Sequence, residues 1–476
     1  MLKTLIGTLQ NFRQALYQVF QKRNDASFEL VDSLSSNALA VRCPVELSLN
    51  PLYRRNYCSI TRSVDEFYPN SSPEARQAKN QEVTTLLAAQ CPPPINRSFY
   101  LFAVDCTPVE RVFSPTLSDR SPVYSPRPTV PSNKPVTIGH QYSLLACLPE
   151  KSSSDTPPWV IPLSAERVGT HQSGTNIGMK QISRLLNTQE KLKDKLCVSV
   201  ADSAYSTPEC LVEASTNEHL VHIARLRNNR SLPRAIEEKK NEPRKRGRPK
   251  QYGNPIRLRD KRTWGKPIET VILNTTSKRG KPQIIKIEGW NKITMRGKQK
   301  IEPYRLIHIQ VYKENGELLF KRPLWVVVAG KRQDELTLQD IFESFRQRFD
   351  IEHFFRFGKM RLLADKFQTP ETEHEEAWWQ FIMMSYTQLY LARELAHNLP
   401  NPWEKNLPEF KSSREEKAPT QVQKDFGRII SEIGTPATAP KPRNKSRGRS
   451  LGAMQVKRQR HKVVYKVKKR RFQSSA

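Results

Sequence analysis

Phe345, Arg348, Glu352 and Lys359 follow one another at steps of three, four and seven residues. At ~100° per residue of α-helix, these four side chains fall within an arc of about 60°. One carboxylate and two cations therefore face the same way, while Phe349, Phe354, Phe355 and Phe357 point to other faces and would bury the helix in a core. A helix packed on several faces must turn its polar stripe into a cleft. An Arg–Glu pair at i, i+4 is also ordinary surface chemistry worth a few tenths of a kcal/mol, so the helix alone leaves both interpretations open. Two aspartates change the weighting. Asp105 ends the apolar run SFYLFAVD, and Asp202 ends LCVSVAD. A single Asp after a strand is commonly a turn former or a helix cap. Two of them at strand ends, with a glutamate on a later helix, make an oxygen donor set suited to hard Mg²⁺ ions. Two such ions roughly 3.5–4 Å apart would stabilise the attacking and leaving oxygens of an in-line phosphoryl displacement. Arg348 and Lys359 would then hold phosphate oxygens.

Positioning such a set requires a sheet. After SFYLFAVD, short apolar runs follow at VERVF (109–113), YSLLACL (142–148) and WVIPL (159–163), then a helical pattern around MKQISRLLNTQEKLKD, then LCVSVAD and HLVHIARL (219–226). Strands mixed with helices over 96–227 predict an α/β sheet. Residues 1–95 alternate helix-like pieces with short breaks and read as an N-terminal helical, DNA-binding domain, ending at the CPPP turn. The basic, proline-containing stretch from Asn228 to Gly253 reads as a linker, and TVILN, IIKIEGW, YRLIHIQVY and PLWVVVAG read as antiparallel strands. Together they predict a β-rich insertion over 228–330. Residues 334–358 and 372–397 read as helices within a second core segment, 331–400. From 401 to 476 the chain reads as a basic tail that stays disordered until it meets nucleic acid.

The 476 residues carry a formal net charge of +32, with 26% charged and 37% hydrophobic residues. A folded protein with this excess attracts polyanions, and nucleic acid is the default partner because neutralised phosphates release counterions. No apolar run approaches the ~18 residues of a membrane span. The N-terminal apolar residues recur at steps of three and four, which marks an amphipathic helix and not a signal peptide. Seven cysteines show no CxxC or zinc spacing, which fits free thiols in a reducing cytosol.

The combination resembles the DDE transposases of bacterial insertion sequences, in the group named for a Tyr-Arg-Glu-Lys signature. Phe345, Arg348, Glu352 and Lys359 stand at that signature's spacings, with Phe345 in the tyrosine's place and lacking its hydroxyl. VDCTPVER aligns Asp105 with the first acid. VADSAYSTPE aligns Asp202 with the second, followed by the aromatic Tyr205. The likeness spans about residues 98–400. It implies an RNase H-like mixed sheet flanked by helices and interrupted by the β-rich insertion, with the first and fourth strands adjacent so that Asp105 and Asp202 meet. It further implies Asp105, Asp202 and Glu352 as ligands of two Mg²⁺ ions, with Mn²⁺ as a possible substitute, and nicking of double-stranded DNA at transposon ends. Attack of the freed 3′ hydroxyl on target DNA would follow. A homodimer on the DNA ends, a cytoplasmic, nucleoid-associated location, and Trp290 or Trp264 stacking on a flipped base belong to the same expectation, although a strand tryptophan is more often a core residue. Phe345 would touch DNA by stacking.

Arg246 and Arg248 in KRGRPKQYG (245–253) resemble an AT-hook, whose arginines suit the narrow minor groove of A·T-rich DNA. His140, just before an apolar strand, reads as a structural or turn histidine, with an approach to the active site as the alternative. Arg54 and Arg55 of LYRRNY suit either a phosphate contact or a solvated face. Two other functions compete: an RNase H-like nuclease without strand transfer, and a non-catalytic DNA-binding protein descended from a transposase.

Overall fold

The computed structural model describes residues 2–37, 41–70, 72–126, 128–130, 133–153, 155–236, 251–277, 280–296, 302–397, 399, 416–442, 448, 450–454 and 456–465. Four helices open the chain: α1 (Leu2–Val19), α2 (Asn24–Ser35), α3 (Tyr57–Asp65) and α4 (Pro73–Ala88). The core follows with β1 (Tyr100–Glu110), β2 (Ser121–Tyr124), β3 (Val136–Cys147), β4 (Ile161–Val168), α5 (Gly174–Thr188), β5 (Cys197–Ala201), α6 (Pro208–Thr216) and β6 (Leu220–Leu226). Next come the short β7 (Ser231–Pro233) and β8 (Pro255–Arg257), then β9 (Glu269–Thr276), β10 (Pro282–Ile293), β11 (Tyr304–Lys313) and β12 (Leu324–Ala329). The last helices are α7 (Leu338–Gln347), α8 (Asp350–Arg361), α9 (Thr372–Ala392) and α10 (Pro419–Ile433).

The continuous apolar runs of β1, β5 and β6 become interior strands because both faces of the sheet are covered. β1 lies parallel to β5 and β5 parallel to β6, while β3 runs antiparallel to β1, and β4 to β3. With the short edge strand β2 set aside, the order β4–β3–β1–β5–β6 puts β1 beside the fourth strand of the core, the RNase H-like arrangement. The β-rich insertion extends this same sheet: β12 pairs antiparallel with β6, and β11, β10 and β9 continue it outward. VERVF is no separate strand, because β1 runs on past Asp105 to Glu110 through its antiparallel ladder with β3.

Helix α9 is the buried spine. Every residue from Ala377 to Tyr390 is buried, as expected of a helix that is apolar nearly all round. Helices α1, α2, α3 and α4 pack on it. Arg13 of α1 stitches them together: its guanidinium donates to Asp32 Oδ2 of α2 at 3.0 Å and to Gln388 Oε1 of α9 at 2.9 Å. Arg54 and Arg55 are likewise engaged internally. Arg54 Nε donates to Glu29 Oε1 at 2.8 Å, and Arg55 donates to the Thr438 carbonyl at 2.7 Å.

Within the C-terminal stretch, expected as a disordered tail, Pro419–Ile433 forms a helix. Val422, Phe426, Ile429 and Ile430 form a buried stripe that lays α10 against α9. Four apolar residues in a polar sequence suffice because their i, i+4, i+7, i+8 spacing puts them on one face. Among the described residues, no helix is long and apolar enough to cross a membrane, and all seven cysteines are free thiols.

Candidate active site

β1 and β5 are hydrogen-bonded neighbours only up to Ala103 opposite Val200. Asp105 and Asp202 each stand two residues beyond that last pair, where the strands diverge. Asp105 is therefore in mid-strand, still paired with Leu144 of β3. Asp202 caps the turn Ser203–Tyr205, accepting the Ala204 amide on Oδ1 at 2.8 Å. That turn has its own support. His222 is buried and its pKa is pushed down to about 4 by burial. The neutral ring meets the Tyr205 carbonyl through Nε2 at 3.2 Å and Ser199 Oγ through Nδ1 at 2.8 Å. Since a carbonyl only accepts, Nε2 carries the proton and Nδ1 accepts from Ser199. The Tyr205 ring lies where a Cβ on Gly178 would stand 2.8 Å from it, so α5 can approach only through glycine.

The expected single helix over 334–358 is two helices, α7 and α8, joined by a tightened turn. The amides of Arg348, Ile351 and Glu352 bond three residues back, to Phe345, Arg348 and Phe349 respectively. The turn brings Phe349 out of the core: it is 47% exposed, against the expectation that it packs inward. Arg348 is buried, and its guanidinium sits 4.5 Å from the Phe349 ring centre and 5.9 Å from that of Phe345, a cation–π contact. From there Nη1 reaches Asp105 Oδ2 at 3.3 Å and Nη2 reaches Glu352 Oε1 at 2.8 Å. The helix stripe faces β1, and one arginine links two of the three acids.

Lys359, on the same stripe, does not line the cleft. It is half-buried, and its Nζ donates to the Pro108 carbonyl of β1 at 2.6 Å, pinning α8 to the strand that carries Asp105. Burial lowers its pKa, with Asp365 and Glu110 acting in the opposite direction. Lys359 thus meets a strand carbonyl where a phosphate contact was expected. Trp290 is corrected too: it is 2% exposed, inside a cluster with Trp325 at 5.7 Å, Trp264 at 6.1 Å and His308. It is a core residue, its strand position having put it on the covered face. Trp264 is half-buried against Trp325 at 4.8 Å. Arg246 and Arg248 lie outside the described residues. His140 is structural, held between Glu375 and the Ser118 carbonyl.

Asp105, Asp202, Glu352, Arg348 and Phe345 all line one cleft of about 900 Å³. Burial pushes the Asp105 carboxyl up to about 6; Arg348 opposes this, while the charges of Asp202 and Glu352 add to it. Desolvation dominates, and the two neighbouring carboxylates act on Asp105 in the same direction. The cleft wall also holds residues that sequence reasoning missed: Arg225, Lys321, Arg322 and Arg346, all exposed, and Phe320, 61% exposed. A signal existed for Arg225, the exposed charge in an otherwise buried strand. The loop carrying Phe320, Lys321 and Arg322 is brought to the cleft only by the pairing of β11 with β12.

As the side chains stand, no three carboxylate, histidine or cysteine groups converge on one point among the described residues. Arg348 supplies the positive charge between Asp105 and Glu352. The donor chemistry nevertheless fits a hard divalent ion, since three carboxylates share one cleft.

No curated protein matches the chain. The family described as DDE superfamily endonuclease matches residues 15–289, a span that holds Asp105, Asp202 and the strands positioning them, and stops short of α8. That match covers more than half of the sequence and agrees with the sheet order and the paired aspartates: the chain belongs to the DDE superfamily endonucleases.

Proposed function

We propose that the chain is a transposase that cuts double-stranded DNA at transposon ends and joins the freed ends to target DNA. The observation that carries this reading is that Asp105, Asp202 and Glu352 line one cleft whose rim is cationic. Asp105 and Asp202 would hold divalent ions, joined by Glu352. Bound Mg²⁺, or Mn²⁺ in its place, supplies charge stabilisation at the attacking and leaving oxygens. The chain's own residues do the rest. Arg225, Lys321, Arg322 and Arg346 neutralise backbone phosphates on either side of the scissile bond. The exposed rings of Phe320 and Phe349 offer faces on which bases stack, the part first expected of Trp290. Arg348, wedged against Phe345 and Phe349, orients Glu352 and screens it from Asp105. In the cutting step a water oxygen bonds to phosphorus and the 3′ oxygen leaves. In the joining step that 3′ oxygen attacks a target phosphodiester and displaces its 3′ oxygen. Two copies of the chain on paired ends would let both joins occur together.

The test supplies duplex DNA from the borders of the chain's own gene, a target plasmid and Mg²⁺. Nicked ends and joined end–plasmid products are the expected result. Nicks without joined products would leave a nuclease, and salt-sensitive binding without nicks would leave a DNA-binding protein.

A further inference from the structure

Residues 456–465, VKRQRHKVVY, are held against the side of the catalytic core. The His461 amide donates to the Pro115 carbonyl at 2.8 Å, and the Val464 amide donates to the Arg120 carbonyl at 2.7 Å. In return, Arg120 Nη2 donates to the His461 carbonyl at 3.1 Å. Arg120 is only 4% exposed. Its remaining bonds go to the carbonyls of Leu117 at 3.1 Å, Arg111 at 3.0 Å and Val112 at 3.4 Å, and no carboxylate pairs with it among the described residues. A buried guanidinium engaged wholly with carbonyl oxygens costs desolvation without an ion pair to offset it. What it secures is the path of the loop after β1 and of the strap laid on that loop.

The strap presents Lys457, Arg458, Arg460 and Lys462, all exposed. Arg458 stands 3.8 Å from Glu371; Lys457, Arg460 and Lys462 have no acidic partner among the described residues. Unlike charges on a free tail, these cannot separate to relieve their repulsion. A fixed, uncompensated row of cations is a surface made for an external polyanion. Its place in the fold points the same way. Glu110, at the far end of β1, is five residues past Asp105, a distance of roughly 17 Å at the rise of a strand. The strap contacts the loop that begins just beyond it. The strap bonds Pro115, ten residues past Asp105, so no more than roughly 35 Å of fully extended chain separates the two, about the length of one helical turn of duplex.

We propose that the docked strap is a second, pre-positioned contact for duplex DNA, gripping phosphates that flank the cleaved position. The choice of DNA as the polyanion rests on the proposed function, but the contact itself needs no catalysis. The test therefore measures binding of the full chain to a 30-base-pair duplex in EDTA, from 50 to 200 mM salt. Three proteins are compared: wild type, the triple variant Lys457→Gln/Arg460→Gln/Lys462→Gln, and His461→Pro, which removes the docking amide outside the core. The triple variant is expected to lower the slope of log affinity against log salt by roughly 2.7, about 0.9 for each phosphate no longer neutralised. His461→Pro is expected to weaken binding severalfold and to lower the slope by about one or more. A wild-type slope in the triple variant, or wild-type affinity and slope in His461→Pro, would overturn the proposal. Because this binding is measured without a divalent ion, it separates from the Mg²⁺-dependent cleavage. A lowered slope in a protein that never nicks DNA would refute the transposase reading alone, and nicking with an unchanged slope would refute the strap alone.

Discussion

Asp105→Asn is expected to reduce DNA cleavage by on the order of 10³-fold or more, since it removes a charged oxygen donor from the proposed reacting centre, and at the same time to stabilise the fold. Burial raises the Asp105 pKa from 3.8 to about 6, with Arg348 only partly opposing it and Asp202 and Glu352 contributing like-charge repulsion. The sign follows from proton binding: between these values the folded chain holds a proton that the unfolded chain has released. Stability is therefore fully present below about 3.8 and is lost as pH rises through about 6. The difference is worth on the order of 3 kcal/mol. Asparagine has no such step. Denaturant unfolding at pH 4.5 and 7.5 should show the variant gaining on the wild type as pH rises, and a constant gap would contradict the assignment. The trade of stability for charge at a working site is a familiar one.

Arg111→Met is expected to destabilise the protein by ~3–5 kcal/mol, the usual cost of leaving a buried charge unpaired. Arg111, Glu375, His140 and Tyr142 form a buried polar cluster between β1, β3 and α9. Arg111 Nε lies 2.7 Å from Glu375 Oε1, and Tyr142 donates to Glu375 Oε2 at 3.0 Å. Burial alone would raise the Glu375 pKa; Arg111 and the His140 bond override it and hold it down at about 2. A depressed carboxyl contributes stability that is present above about 4.5 and lost as pH falls toward 2. Arg111 also donates to the carbonyls of Asp365 and Phe367, the loop that follows α8. Its removal should therefore loosen the helix that carries Glu352. Guanidinium unfolding at neutral pH checks the magnitude; a change under ~1 kcal/mol would mean that water or His140 replaces the guanidinium.

How much of this was legible in the sequence depends on the range over which each feature is set. SFYLFAVD and LCVSVAD read correctly as buried strands because a continuous apolar run closed by an acid is a local signal. The resemblance added the adjacency of β1 and β5, which no local pattern contains. The extension of β1 to Glu110 was hidden, because Pro108 interrupts the run and only the ladder with β3 sustains it. The charged stripe of Arg348, Glu352 and Lys359 was legible as a helix face, yet what Lys359 meets, a carbonyl on β1, is a long-range fact. Phe349 was misplaced because a tight turn divides α7 from α8, and Trp290 because strand alternation does not say which face is covered. The α10 stripe was present in the letters but was outweighed by its polar, proline-rich surroundings.

Of Asp105, Asp202 and Glu352, proposed to act together on a phosphodiester, Glu352 is the one held by Arg348 and lying outside the family match. The most direct measurement is Mg²⁺-dependent nicking of gene-border duplex by wild type and Glu352→Gln at equal concentration, with duplex affinity in EDTA measured alongside. Nicking lower by on the order of 10³-fold at nearly unchanged affinity is predicted; nicking by Glu352→Gln at the wild-type rate would contradict the account.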